Sequence, residues 1–171
     1  QTTTLTPIAG WRLKRGESLS EALTYAARRM VVDGAIANNQ PIEAAEVARI
    51  LAEDPTLDEE TSAGYVRHLL AFALVLEEIE QTDLLSVVVR GKPNLERVIL
   101  QQMDDGLQNG KADRVYRVLA RWLSNPFGFS GMYWVEMTQR ATLAYAEQLA
   151  KKGQVETLNA FLRHVRKNQW N

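Results

Sequence analysis

The sequence predicts an all-α protein, a compact bundle or array of about seven helices. Three observations carry that reading. Apolar residues recur at spacings of three and four through most of the chain, the period of a helix with one buried face. Ser, Asp and Asn stand where such stripes begin, and Gly, Asn and Pro where they end. Only one short segment carries a run of β-branched residues. With 171 residues, 46% hydrophobic and 24% charged, the chain has enough apolar side chain to build one core.

Residues 1–17 hold four threonines, Pro7, Gly10 and Gly16 with no sustained period, and read as a flexible N-terminal arm that Trp11 and Leu13 can anchor. Residues 18–171 read as a single helical domain. Its first helix opens on the capping box Ser18-Leu-Ser-Glu21, carries Leu19, Leu23, Ala26 and Met30 as its stripe, and is stopped by Asp33-Gly34 and Asn38-Asn39-Gln40-Pro41. A second helix spans Ile42 to Glu53, buries Val47, Ile50 and Leu51, and ends before Pro55, which pushes Asp54 out of helical dihedrals. Asp58-Glu59-Glu60 places three carboxylates at the positive end of a long third helix. The third stripe is Tyr65, Leu69, Phe72, Leu76 and Ile79, widened by Val66, Leu70 and Ala73.

The segment 84–92, Leu84-Leu-Ser-Val-Val-Val-Arg-Gly-Lys92, fits either one short β-strand pair or a short buried helix, because periodicity does not separate them at this length. Asn94 then caps a helix carrying Leu95, Val98, Ile99 and Met103, ended by Gly106 and Asn109-Gly110. Lys111 to Leu123 is helical, with Val115, Leu119 and Trp122 on one face. Residues 124–131 are a loop by composition. Helices from about Met132 to Lys152 and from Gln154 to about Lys167, divided by Gly153, make an antiparallel hairpin.

The net charge of -1 hides an uneven distribution. Residues 1–40 carry +2, residues 41–89 carry -9, and residues 90–171 carry +6. The domain therefore divides into an acidic half, 18–92, and a basic half, 93–171. Either the two halves neutralise one another by packing, or the basic half presents itself to an acidic protein or a polyanion.

Arg114, Arg117 and Arg121 are spaced three and four apart, so their guanidinium forks lie along one side of a helix. Trp122, Phe127, Phe129, Tyr133 and Trp134 follow within a short stretch containing Pro126, Gly128 and Gly131. Rings beside arginines stack on unpaired bases or anchor a protein partner, and alternatively close the core under the loop. Arg163, Arg166 and Lys167 add a second basic helix, with Lys151-Lys152 at the intervening turn.

Catalytic signals are poor. The chain has no cysteine, which removes thiol nucleophiles and cysteine metal sites and fits a reducing cytoplasm. His68 lies beside an apolar stripe, His164 sits among arginines, and neither has a second ligand at metal-binding spacing. Glycine-rich phosphate loops and a nucleophile elbow are absent. Glu43 to His68 invites comparison with a helix-turn-helix, yet the reading helix would begin with three carboxylates facing phosphates. The longest apolar run, Leu69 to Leu76, is far too short to cross a bilayer, and the start at Gln1-Thr-Thr-Thr shows no charged n-region followed by an apolar h-region, so no secretory signal is expected.

The sequence thus points to a non-catalytic binding or assembly module with no cofactor or metal, acting on a protein partner or a larger assembly. Its contact residues are expected among Arg114, Arg117, Arg121, Phe127, Phe129 and Trp134. The alternative is a nucleic-acid-binding protein that adds Arg163, Arg166 and Lys167. A third reading is an enzyme with a pocket lined by Trp122, Tyr133 and Trp134. Oligomeric state is left open.

Overall fold

The computed structural model describes Arg12 and residues 16–89, 92–124 and 132–168. Within them, helix follows helix: α1 Leu19–Ala37, α2 Ala44–Glu53, α3 Glu59–Leu76, a 3-10 turn Ile79–Gln81, α4 Thr82–Val89, α5 Pro93–Gln108, α6 Ala112–Ser124, α7 Met132–Lys151 and α8 Val155–Asn168. No strand occurs among the described residues. The arm, apart from Arg12, Gly16 and Glu17, and the loop carrying Phe127 and Phe129 lie outside them.

The caps explain most boundaries. The Ser18 hydroxyl accepts a hydrogen bond from the Glu21 amide, and the Asp58 carboxylate accepts one from the Thr61 amide, each satisfying an orphan donor of a first turn. Alternate helices end in one way. Asn39, Glu77, Gly110 and Gly153 adopt positive φ after α1, α3, α5 and α7. The residue after each donates back five positions, Gln40 to Ala35, Glu78 to Ala73, Lys111 to Gly106 and Gln154 to Leu149, at 2.8–3.0 Å.

These left-handed turns fold the chain into four successive helix pairs. Each pair packs on the next: α3 on α5, α5 on α7, α2 on α4 and α4 on α6, with α6 against α7 and α2 against α3 closing the gaps. The result is an array of helical hairpins with mostly nearest-neighbour contacts. Its core runs from Tyr25 and Val47 through Leu69, Leu70 and Ile99 to Trp122, Trp134 and Phe161.

Several elements differ from the sequence expectation. Residues 82–89 are helical: Thr82, Leu85, Ser86 and Val89, at helical spacing, are buried and pack on α2. The β-branched run is overruled because no strand lies alongside to complete a ladder, while a helix buries that face. Helix α5 begins two residues early, since Pro93 suits the first helical position; Lys92 takes the cap position, and the Asn94 side chain instead donates to Glu59.

Helix α1 runs on through Asp33-Gly34 and ends at Ala37, at the second expected stop, Asn38-Asn39-Gln40-Pro41. Its buried side is Ala22, Tyr25, Ala26 and Val32, whereas Leu19 and Leu23, expected in the core, are exposed. Leu76 is exposed too, because α3 stops there with Glu77 in a left-handed conformation.

Candidate functional site

The arginine row of α6 forms, but the chain's own acids occupy it. Helices α3 and α6 meet so that Arg114 Nε donates to Glu77 Oε1 at 3.1 Å, and its Nη1 donates to the carbonyls of Leu74 at 2.9 Å and Val75 at 3.1 Å. Those carbonyls belong to the last turn of α3, where no intrahelical amide remains and the helix dipole is negative. Arg114 therefore caps a helix distant in sequence.

Arg117 reaches the same Glu77 oxygen at 3.4 Å and Asp113 at 3.9 Å. Arg121 grips Asp83 with both arms of its fork. Arg140 of α7 pairs with Asp104. Three of these four arginines bind acids of the strongly negative 41–89 segment, Glu77 and Asp83, so part of the charge asymmetry is spent in packing the two halves together.

The aromatics divide. Trp122 and Trp134 are core, their rings edge to face with centroids 6.0 Å apart, while Tyr133, one residue before Trp134, is 74% exposed. Tyr133 therefore does not share the buried position of Trp122 and Trp134. Phe127 and Phe129 lie outside the described residues. A second ring cluster joins Tyr116, Tyr145 and Phe161, which clamps α8 onto α6 and α7.

The cations of the last hairpin behave differently. Arg163, Arg166 and Lys167 are exposed on the side of α8 away from Leu158, Phe161 and Val165. Lys151 and Lys152 are exposed at the turn into it. None of the five makes an ion pair among the described residues. Leu162, 44% exposed, and Val155, 61% exposed, border them.

Sequence reasoning missed a polar network under α1. The Tyr25 hydroxyl donates to Asp54 Oδ2 at 2.6 Å, and Thr56 supplies its amide and hydroxyl to Oδ1. Burial and then this carboxylate push the Tyr25 hydroxyl from its ordinary 10.0 up to about 12. Nearby, Arg29 Nε donates to the Tyr65 hydroxyl at 2.9 Å, and that hydroxyl donates to Asp33; burial, then Asp33, raises its pKa. The signal was present in the sequence: a tyrosine on a buried face needs a partner for its hydroxyl. His68 is structural, its Nε2 lying 2.6 Å from the Gln40 carbonyl, which only a ring N–H can satisfy.

One cleft of about 330 Å³ opens between the α2–α3 turn and the start of α5, lined by Leu51, Asp54, Leu57, Glu59, Ser62 and Lys92 among others. Its carboxylates are already engaged, Asp54 by Tyr25 and Thr56 and Glu59 by Asn94. No group of three or more metal-binding side chains converges among the described residues, and no helix there is long and apolar enough to cross a membrane. The chain matches no protein-family model, and no curated protein or solved structure shows significant similarity to it.

Proposed function

We propose that the chain is a non-catalytic helical binding or assembly module, and that it docks an acidic protein segment on the outer face of its C-terminal hairpin. One contrast carries this reading: Arg114, Arg117, Arg121 and Arg140 are neutralised by the chain's own carboxylates, whereas Lys151, Lys152, Arg163, Arg166 and Lys167 are not. Exposed guanidiniums steer and orient an acidic partner. The adjoining Leu162 and Val155 offer apolar area that a phosphate backbone cannot use but an amphipathic partner helix can.

The second reading, nucleic-acid binding through the same cations, is favoured by their repetition at both ends of α8. Salt separates the two. Phosphate contacts make log affinity fall linearly with log salt, while a partly apolar protein contact responds weakly.

The test compares a fluorescent acidic helical peptide containing leucines with single- and double-stranded DNA and RNA of similar charge, at low and high salt. Under the proposal, the peptide binds and survives the salt increase. Arg163→Glu with Arg166→Glu abolishes binding and changes stability by less than about 0.5 kcal/mol, as for exposed sites. Binding of nucleic acid alone, with a steep salt slope, moves the function to the second reading. Undiminished peptide binding by the double mutant removes the hairpin from consideration.

A further inference from the structure

The cleft between the α2–α3 turn and the start of α5 holds polar groups that the fold leaves unused. Ser62 of α3 lines it and is only 7% exposed. Hydroxyls elsewhere on the helices fold back on the preceding turn: Thr24 donates to the Ser20 carbonyl, Thr138 to Trp134 and Thr142 to Thr138, at 2.7–2.8 Å. The Ser62 hydroxyl makes no such bond and has no hydrogen-bond partner among the described residues. Leaving so enclosed a donor without an acceptor is costly, which marks it as a group that a ligand satisfies.

Charge of each sign is also left over at the rim. Lys92 is exposed and forms no ion pair among the described residues; it takes the N-cap position of α5, whose first turn no side chain caps. Ammonium and helix end together favour an anion. Glu59 accepts from the Asn94 side chain through Oε1, while its Oε2 accepts from no group among the described residues. Lys92 stands two residues before Asn94, so these opposite charges share one rim. Asp54, the other acid, is already engaged by the Tyr25 hydroxyl and by the amide and hydroxyl of Thr56. Leu51, Leu57, Leu95, Pro55 and Pro93 make the rest of the lining apolar.

We infer that this cleft binds a free α-amino acid with an apolar side chain. A plain carboxylate would meet Lys92 but also Glu59 and Asp54, and a plain amine would meet those acids but also Lys92 and the positive end of α5. A zwitterion whose two charges flank a single carbon answers both. Its carboxylate takes Lys92, the first turn of α5 and the Ser62 hydroxyl, and its ammonium takes the free oxygen of Glu59. Its side chain lies against the leucines. The cleft volume of about 330 Å³ is at the small end for small-molecule sites, which suits a molecule the size of one residue. The cleft shares no residue with α8, so the inference stands or falls separately from the docking of an acidic partner there.

An amide NMR titration of the isotopically labelled full chain with L-leucine, L-leucinamide and N-acetyl-L-leucine tests this. Leucine should shift the amides of Ser62, Asn94 and Leu95 with a dissociation constant of about 0.1–1 mM, as befits a ligand of so few atoms. Leucinamide lacks the carboxylate and N-acetylleucine the ammonium, so each should bind at least about tenfold more weakly, having left one charge of the site unpaired. Lys92→Glu should weaken leucine by about the same factor with the urea midpoint unchanged, because the side chain is exposed. Ser62→Ala should weaken leucine at least about threefold and leave the urea midpoint equal or higher, since it removes a hydroxyl buried without a partner.

Absence of these shifts up to about 20 mM leucine overturns the inference, as does leucine binding that neither variant weakens. N-acetylleucine binding as tightly as leucine would assign the cleft to a peptide C-terminus, and leucinamide binding as tightly would assign it to a peptide N-terminus; either result replaces the free amino acid. A loss of stability in Ser62→Ala would show the hydroxyl already satisfied within the fold, and it too would overturn the assignment.

Discussion

Replacing Arg114 by alanine separates a structural arginine from a recognition arginine. The guanidinium is 28% exposed and makes two hydrogen bonds to carbonyls of the last turn of α3 and one to Glu77. Hydrogen bonds from a charged donor are worth about 1.5–3 kcal/mol where they are shielded. The Glu77 component is discounted to at most about 0.5–1 kcal/mol, since that carboxylate is half-exposed.

Truncation should therefore cost about 2–3 kcal/mol in urea unfolding followed by circular dichroism. For a chain of this size, that corresponds to a fall in melting temperature of about 4–12 °C. High salt should remove only the Glu77 share, because carbonyl dipoles are not screened as separate ions. Arg117→Ala is the control: its fork is 49% exposed and its contacts are longer, so the loss should stay below about 0.5 kcal/mol. If the two variants prove equally benign, Arg114 does not cap α3, and the α6 row returns as a candidate contact surface.

Two further outcomes follow from the packing. A methyl group added at Gly106 on α5 would sit 2.7 Å from Val115 Cγ2 of α6, so Gly106→Ala should lower stability by about 1–3 kcal/mol despite alanine's better helix propensity, measured by denaturant unfolding. Stability should also decline as pH rises from about 10 to about 12: unfolded Tyr25 ionises near 10.0 and folded Tyr25 only near 12, so above 10 the unfolded state holds fewer protons and is favoured. Tyr65, raised in the same sense, adds to the decline. Urea midpoints across that range should flatten in Tyr25→Phe, and an equally steep fall in the variant would refute the assignment.

Much of the fold was legible because helices are written locally. Ser18, Asp58, Pro93, Gly110 and Gly153 mark ends through their own backbone and side-chain chemistry, and the stripes of α2 and α6 have the period their buried faces require. The candidate site was less legible. Charge segregation was visible in the residues, and so were the arginine rows; which row was taken was not. Arg114 and Arg121 find Glu77 and Asp83 roughly forty positions away, and nothing in their immediate surroundings names those partners.

By itself, then, the sequence determined an all-α chain, most of its helices and the positions of its cations. Tertiary structure decided which side of α1 is inside, that 82–89 coils rather than extends, and which positive side chains are left without carboxylates. The reason lies in the range of the forces. Periodicity and capping act within a few residues, so they survive projection onto one dimension. Burial is a competition among faces. Leu19 and Leu23 are more apolar than Ala22 and Ala26, yet the small residues let α1 lie close to its neighbours, and Tyr25 finds Asp54 only when the chain has folded back on itself.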